Sequence, residues 1–568
     1  MDPALFTATA STTHPSLAGH GDRPLLRPDS SPSISVAHRM LQISPAGSPP
    51  EDRLTQIFLP CHQGFNKGVL PTRKPSQTNK KDGHMKTNKN RTRVITGATT
   101  AILGMALIGL VSCSSGESTS GTVAPGGSAG VQSPLAFVKV EGNTKLAVVS
   151  HSGSLGNSVL STMSFSGSNP VGDMVTSLKD WIFANISAQD GVALIDPISG
   201  AQPIFEATLA GAGLFGPGDN PSHIYRDRTD PEVIWSMNDG DAQGNDVINC
   251  PPPLTGGSVT ILHNAHIGPG GTIPEIHEEV CFGAGGHGHH SAIFTRGTGL
   301  PVSTYITSEH DGAVIVIDNN PNNIGTYLSV IDRLDMCDGT KETCDADVGT
   351  ANTAGTHGIY FSTMTGKVYV HNAAYAQLAI VDPAAANAVT RLDIGAYDGL
   401  RLSENGRFLF MRRTDTTNPL HVVGKIRVLD LTATPIGIAD FDAQDVIPQT
   451  IRASADGAKL FLTQSNSPSG LTTDQQNALK QNVLQIYDAS GLPAALPAPI
   501  EVSLPISSGR SVELYEKAGA LVSILVSNRD NNSLSIINAA TNVPSTIPVG
   551  ANPGAIFVFE KGAVAANP

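Results

Sequence analysis

The sequence predicts an all-β fold, and three observations lead to this prediction. From about residue 133 onward, short apolar segments alternate with turns rich in Gly, Asn, Asp and Pro. A convincing helical period is absent except near 473–482. The same unit of four short strands also recurs at a spacing of roughly 40–65 residues.

The clearest unit runs HGIYFSTMTGKVYVHNAAYAQLAIVDPAAANAVTRLDIG from position 357 and contains four strands. First strands of successive units begin near 292, 358, 399, 450, 512 and 554. Four strands per unit are typical of the blades of a β-propeller, so we expect a single propeller over 133–562. Seven units are clear. An eighth forms if the segment from 134 pairs with the C-terminal GAIFVF, because that closure buries two open sheet edges. We favour eight blades, with seven as the alternative.

The ending DNNSLSIINAATNVPSTIPVGANPGAIFVF resembles YVTN-type propeller repeats, in which a strand ending in Asp precedes a Gly-x-x-Pro turn. This resemblance implies the same propeller architecture. A two-sheet sandwich with additional domains does not explain the repeat.

The region before the propeller predicts export. Residues 1–84 have the composition of a disordered extension, which translation from Met85 would leave out. Residues 85–112 follow with a basic start, an apolar run and small residues, as in a secretion signal. The ending LVSC at Cys113 resembles the lipobox of bacterial lipoproteins, which implies an acylated Cys113, a lipid anchor and a periplasm-facing or cell-surface position, with the outer membrane favoured by Ser114. A Ser/Gly tether over 113–132 and a short tail over 563–568 complete the predicted organisation. A single transmembrane anchor is the alternative.

Charge excludes one class of partner. Residues 1–112 carry 13 Lys+Arg and 6 Asp+Glu, or +7, so with −13 for the whole chain residues 113–568 carry −13 − 7 = −20. An acidic body with no basic, aromatic-rich face argues against nucleic acid as a partner and mildly for cations.

Four cysteines follow Cys113, and an even number in an exported chain predicts disulfides. Cys337 and Cys344 enclose a small loop, which leaves Cys250 with Cys281. Four thiolates around a metal are the alternative, although no C-x2-C spacing is present.

Histidines cluster in one part of the chain. Of twelve after Cys113, eight lie between His263 and His357. In a propeller the chain enters the innermost strand of every blade from one face, which also carries the loops between the second and third strands. His223, the pair His289 and His290, and His357 lie just before the innermost strands of three consecutive predicted blades. We therefore expect these side chains to meet at one mouth of the central channel.

Imidazole is the commonest metal ligand among side chains, and three imidazoles with a carboxylate or water suit Zn²⁺, with Cu²⁺ as the alternative. The predicted ligands are His223, His287, His289, His290, His357, His310 and Glu309. Secondary candidates are His263, His266 and His277. Glycines around the HGHH motif at 287–290 favour an adaptable loop that takes up and releases an ion.

An exported propeller with an HGHH cluster at the start of a blade resembles the zinc metallochaperones that serve zinc ABC transporters. This resemblance implies zinc storage or transfer to a periplasmic solute-binding protein. Two other classes remain: a zinc or copper metalloenzyme using the same histidines, and a non-catalytic propeller that binds protein or glycan through its loops. No catalytic residues are predicted, so an enzyme is the less favoured class.

Overall fold

The computed structural model describes residues 134–566, apart from 152–155, 166–169, 198–204, 208–217, 264–274 and 466–469. In this part of the chain, eight antiparallel sheets of four strands each form the blades of a β-propeller. The prediction of an all-β, eight-bladed fold is therefore confirmed. The predicted signal, the lipidation site at Cys113 and the tether lie outside the described residues.

The blades are numbered along the chain. Blade 1 contains β1 (Leu135–Val140), β2 (Lys145–Ser150), β3 (Ser158–Ser164) and β32 (Ile556–Phe559). Blade 2 contains β4 (Met174–Thr176), β5 (Ile182–Ile186), β6 (Gly191–Ile195) and β7 (Phe205–Ala207). Blade 3 contains β8 (Pro221–Arg226), β9 (Ile234–Asn238), β10 (Ser258–His263) and β11 (Glu275–Cys281). Blade 4 contains β12 (Ala292–Phe294), β13 (Ser303–Ser308), β14 (Ala313–Asp318) and β15 (Val330–Asp335).

The second half repeats the pattern. Blade 5 contains β16 (Thr356–Ser362), β17 (Lys367–Asn372), β18 (Gln377–Asp382) and β19 (Ala388–Asp393). Blade 6 contains β20 (Asp398–Leu402), β21 (Phe408–Asp415), β22 (Val423–Asp430) and β23 (Gly437–Gln444). Blade 7 contains β24 (Pro448–Ala453), β25 (Lys459–Gln464), β26 (Val483–Asp488) and β27 (Ile500–Ser503). Blade 8 contains β28 (Val512–Lys517), β29 (Ala520–Asn528), β30 (Ser533–Asn538) and β31 (Pro544–Pro548).

The ring closes within blade 1. The C-terminal β32 pairs with β1, with Leu135 opposite Phe559 and Val138 opposite Ile556. This pairing joins the two ends of the propeller in one sheet and leaves neither as an open edge. The predicted closure between the segment from 134 and GAIFVF is thus present.

The burial of each strand follows its position in the blade. Every residue of β14 is buried, because its two faces pack against neighbouring blades. The outermost strand β19 instead exposes most of its length. Apolar side chains from adjacent sheets meet between blades, as Trp235 of blade 3 does with Phe294 of blade 4, edge to face at 5.4 Å. First strands of neighbouring blades contact each other around the channel.

Two short helices occur among the described residues. Helix α1 (Thr473–Ala478) begins at a capping box in which Thr472 and Gln475 bond reciprocally. It lies within the predicted helical stretch. Helix α2 (Ala563–Ala566) follows β32, and Val564 at its centre is buried. Neither helix has the length or hydropathy to cross a membrane, and the described part of the chain contains no other α-helix.

Both predicted disulfides are present: Cys250 bonds Cys281, and Cys337 bonds Cys344. The first links the loop after β9 to the outermost strand of blade 3. Because all four sulfur atoms are paired in this way, the alternative of a four-thiolate metal site is ruled out.

Candidate metal centre at the mouth of the channel

Three histidines from three consecutive blades meet at one end of the channel. His223 lies on β8, His289 lies in the loop before β12, and His357 is the second residue of β16. One nitrogen from each ring lies within 4.8 Å of the other two. The propeller brings them together because each chain segment reaches its innermost strand from the same face.

The three rings are in direct contact. The ring of His289 lies between the others, with its centroid 4.7 Å from that of His223 and 4.7 Å from that of His357. The rings of His289 and His357 are nearly parallel, at an angle of 13°. Nε2 of His223 and Nε2 of His289 are only 3.0 Å apart.

Two aspartates fix the orientation of these rings. Nδ1 of His223 lies 2.5 Å from Oδ2 of Asp173, and Nδ1 of His289 lies 2.5 Å from Oδ2 of Asp239. A carboxylate accepts hydrogen bonds, so each Nδ1 donates. In a neutral imidazole the proton on Nδ1 leaves the lone pair on Nε2.

This tautomer places the Nε2 lone pairs of His223 and His289 against each other. Two Nε2 lone pairs that face each other at 3.0 Å repel unless a positive charge lies between them. A shared proton or a bound cation satisfies both nitrogens. The carboxylate–histidine arrangement is also the one that orients metal-binding imidazoles in proteins.

The pKa values reflect the same electrostatics. The hydrogen bond that Nδ1 of His289 donates to Asp239 raises the pKa of His289 above its ordinary value, although burial acts in the opposite direction. Burial opposes ionisation of Asp239, but its hydrogen bonds with His289 and His290 outweigh burial and hold its pKa well below the usual range. Burial and the two neighbouring imidazoles lower the pKa of His357 to about 4. His357 is therefore neutral at physiological pH and has a lone pair available.

His290 occupies a different position from the one the sequence predicts. Its ring is fully buried, with Nε2 donating to the carbonyl oxygen of Gly286 at 2.9 Å and Nδ1 lying 3.3 Å from Asp239. A side chain on Gly257 would collide with this ring, since an added Cβ would lie 2.1 Å from its Cε1. The structure thus brings His289, not His290, beside His223 and His357.

The other predicted ligands surround the three histidines without joining them. His287 bonds through Nδ1 to Asp311 at 2.7 Å, and this hydrogen bond raises its pKa. Glu309 and His310 are exposed in the loop between β13 and β14. Together with His289 they line a shallow depression of about 440 Å³.

The secondary candidates lie on the outer strands of blade 3. His263 ends β10 and His277 is on β11, and their rings stack with centroids 4.8 Å apart. Nε2 of His263 is 4.0 Å from a carboxylate oxygen of Asp230. The third member of this group, His266, lies outside the described residues.

Sequence reasoning missed the two carboxylates, Asp173 and Asp239. Asp173 immediately precedes β4, the same position in blade 2 that the histidines occupy in the following blades. Asp239 follows β9, in a loop between second and third strands. Both positions belong to the face predicted to hold the histidines. The position of each aspartate within the four-strand repeat could therefore have identified it as a neighbour of the histidines.

Another cluster of ligand-type atoms lies within blade 3 and consists of Asp246, Glu279 and Cys250. The sulfur of Cys250 is in a disulfide, so it offers no thiolate. Burial raises the pKa of Glu279 to about 7, against hydrogen bonds from Ser258 and Thr260 that lower it. The cluster is best described as a pair of buried carboxyl groups that share the hydroxyl of Ser258.

Below the histidines the channel opens into a cavity of about 960 Å³. His223 and His357 form part of its wall, so the three histidines lie between this cavity and the outer face. The side-chain exposure is 26% for His223 and 35% for His289, so both rings are partly open to solvent.

No protein-family model and no curated protein match the chain. Solved structures do resemble it. One is apo AztD from Citrobacter koseri, at 13% identity and a TM-score of 0.44, covering 75% of this chain and 98% of that one. Another is the periplasmic gluconolactonase PpgL of Pseudomonas aeruginosa, at 12% identity and a TM-score of 0.41, covering 75% of this chain and 98% of that one. Similarities of this degree carry no argument about function.

Proposed function

We propose that this propeller binds one zinc ion through His223, His289 and His357 and stores it or passes it to a partner. The observation that supports the proposal is the 3.0 Å approach of two Nε2 atoms whose rings are each held by a carboxylate at Nδ1. Such an arrangement favours a cation, and the acidic body of the chain favours the approach of one.

The spacing of two of the nitrogens, Nε2 of His223 and Nε2 of His289, is close to that expected on zinc. Two imidazole nitrogens on a tetrahedral Zn²⁺, each about 2.0–2.1 Å from the metal, lie about 3.3 Å apart. The observed 3.0 Å is within a small side-chain movement of that distance. Three neutral nitrogens leave one coordination position for water or for a ligand from a partner. Cu²⁺ accepts the same donors and is the alternative ion.

Transfer is the more specific part of the proposal. His289 lies on a loop that contains Gly286 and Gly288, and Gly288 adopts a positive φ of 101°. At this position an added Cβ would lie 2.5 Å from Cβ of His310, so only glycine fits. The imidazole of His289 is itself partly exposed, and an exposed ligand suits an ion that must leave again.

The cellular setting is proposed from the sequence. Export through residues 85–112 and acylation of Cys113 would hold the propeller at a bilayer, where a solute-binding protein of a metal transporter would be the recipient. The two disulfides are consistent with an oxidising compartment.

Metal analysis of reconstituted protein tests the proposal. Protein made without a histidine tag is stripped with a chelator, incubated with Zn²⁺ and Cu²⁺ in competition, desalted and measured by elemental analysis. We expect close to one equivalent of metal in the wild type and less than about a tenth in H289A. His421→Ala is the matched control, because His421 bonds to Asp445 in blade 6, away from the three histidines.

Transfer requires a separate measurement. Zinc-loaded protein is mixed with a zinc-free periplasmic solute-binding protein of a zinc transporter, and metal in the separated recipient is followed with time. Faster loading than from free zinc buffered at the same concentration supports a carrier. Metal binding without transfer would restrict the function to storage or to metal-dependent catalysis.

A further inference from the structure

We propose that the channel beneath the histidines is a binding site for a small organic anion with two or more carboxylate or phosphate groups. The inference concerns a different set of residues from the metal centre and goes beyond metal handling. It rests on how the innermost strands distribute charge along the channel.

The wall of the cavity below the histidines contains guanidinium and phenol groups. It includes Arg226 of β8, Tyr360 of β16 and Arg401 of β20. The mouth presents imidazoles, whereas the wall below it presents the guanidinium groups of Arg226 in blade 3 and Arg401 in blade 6.

The guanidinium groups of Arg226 and Arg401 lack acidic partners. Arg226 donates to the carbonyl oxygen of Thr176 at 3.4 Å, and Arg401 donates to the hydroxyl of Tyr360 at 3.2 Å. Both contacts are to uncharged groups. Within the described residues neither arginine forms a salt bridge, although both line the cavity.

Neighbouring arginines make the part of the cavity around Arg226 positive. Burial, together with the like charges of Arg228 and Arg296, lowers the pKa of Arg226. Arg228 also lines the cavity. Like charges are held close together here, and an anion between them would remove the repulsion.

The acidic groups nearby are already engaged or lie elsewhere. Glu513 is paired with Arg452 at 2.7 Å, and Asp398 lies 3.9 Å from Arg412. Asp173 is hydrogen-bonded to His223. Glu560 also lines the cavity but is paired with Lys517 at 2.7 Å, and Glu404 and Glu516 lie with Glu513 around a second cavity, which shares Arg401 with the first.

The size and chemistry of the cavity define the ligand class. A volume of about 960 Å³ accommodates a molecule larger than a simple inorganic ion. Planar guanidinium groups bind carboxylate and phosphate in a bidentate manner. Tyr225, Tyr360 and Gln449 in the wall add hydroxyl and amide groups that suit a hydroxylated carbon skeleton.

Calorimetry on metal-free protein tests this inference. Stripped and desalted protein is titrated at low ionic strength with citrate, with gluconate 6-phosphate and with inorganic phosphate. We expect citrate or gluconate 6-phosphate to bind with a Kd below about 1 mM, more tightly than inorganic phosphate. A preference between the first two identifies carboxylate or phosphate as the recognised group.

The variant R226Q/R401Q should weaken binding at least about tenfold, and the control R413Q, which removes an exposed arginine stacked on Tyr397, by less than about twofold. Circular dichroism and the unfolding midpoint show whether the double variant is folded; if it is not, R401Q alone is used with the same expectation of weaker binding. The inference is overturned if neither organic anion binds at about 10 mM, or if R226Q/R401Q and R413Q bind equally well. Because no metal is present, failure here leaves the zinc proposal untouched, and loss of zinc binding would leave this one untouched.

Discussion

Oδ2 of Asp239 lies 2.5 Å from Nδ1 of His289, and this contact determines which nitrogen of His289 faces the mouth of the channel. The same carboxylate accepts the backbone N–H of His290 at 3.2 Å. One aspartate therefore orients a proposed ligand and fixes the backbone that carries it.

Asp239→Asn should weaken zinc binding by about 10–100-fold, because an amide no longer enforces the Nδ1–H tautomer of His289. Competition with a chromophoric zinc chelator measures the change. Asp311→Asn is the matched control, since Asp311 bonds to His287, outside the three histidines. Equal losses in the two variants would contradict the role assigned to Asp239.

His289→Ala and His290→Ala should have opposite consequences. The first should abolish zinc binding and leave the unfolding free energy of the metal-free protein nearly unchanged, since His289 is partly exposed. The second removes a fully buried ring and its hydrogen bond to Gly286, which should cost about 2–4 kcal/mol of stability. Denaturant titration and the chelator competition together separate the two effects. Retention of zinc by H289A, with its loss in a folded H290A, would reverse the assignment.

Zinc binding should release a proton and weaken on acidification. The pKa of His289 lies above its ordinary value, so below that pKa the metal competes with a proton, and affinity should fall about tenfold per pH unit. His357, with a pKa near 4, adds no competition until the solution is much more acidic. Calorimetry in buffers of different ionisation enthalpy counts the protons released. Affinity that is constant from about pH 8 to about pH 5.5 would contradict the proposed ligand set.

The two disulfides should contribute unequally to stability. Their cysteines are 31 and 7 residues apart, and the loss of loop entropy predicts about 3.7 kcal/mol for Cys250–Cys281 and about 2.4 kcal/mol for Cys337–Cys344. Denaturant titration of the paired Cys→Ser variants measures both. A larger loss for the shorter loop would show that effects other than chain entropy dominate.

Glu279 should make stability depend on pH. Its pKa is raised in the folded state to about 7 from an unfolded value near 4.5, so its charged form opposes folding. The folded state binds more protons than the unfolded state in this window, and stability falls as pH rises from about 4.5 to about 7. In Glu279→Gln this contribution is absent. As pH rises from about 4.5 to about 7, the unfolding free energy of the wild type should therefore fall relative to that of the variant. Parallel pH profiles for the two proteins would show that Glu279 ionises normally.

The sequence was sufficient for the architecture because a four-strand repeat fixes the propeller without knowledge of any contact. Ring closure was equally predictable, since an unpaired β1 and an unpaired β32 would both leave sheet edges open. The disulfides followed from the number of cysteines and the short loop between Cys337 and Cys344. These features depend on local pattern and on counting.

The choice between His289 and His290 was beyond the sequence. The two are adjacent, and which ring turns toward the channel depends on a pocket formed by Gly257, Gly286 and Phe282 that accepts the ring of His290. That pocket is assembled from separate segments of blade 3 and the following loop. Pairing of Asp173 with His223, 50 residues apart, is likewise a product of the ring.

The proposed zinc ligands are tested most directly by the position of bound zinc in a crystal of the reconstituted protein, located by anomalous scattering at the zinc edge. We expect a single strong peak about 2.0–2.1 Å from one ring nitrogen of each of His223, His289 and His357. A fully reconstituted crystal with no peak there, or with zinc only between His263 and His277, would contradict it.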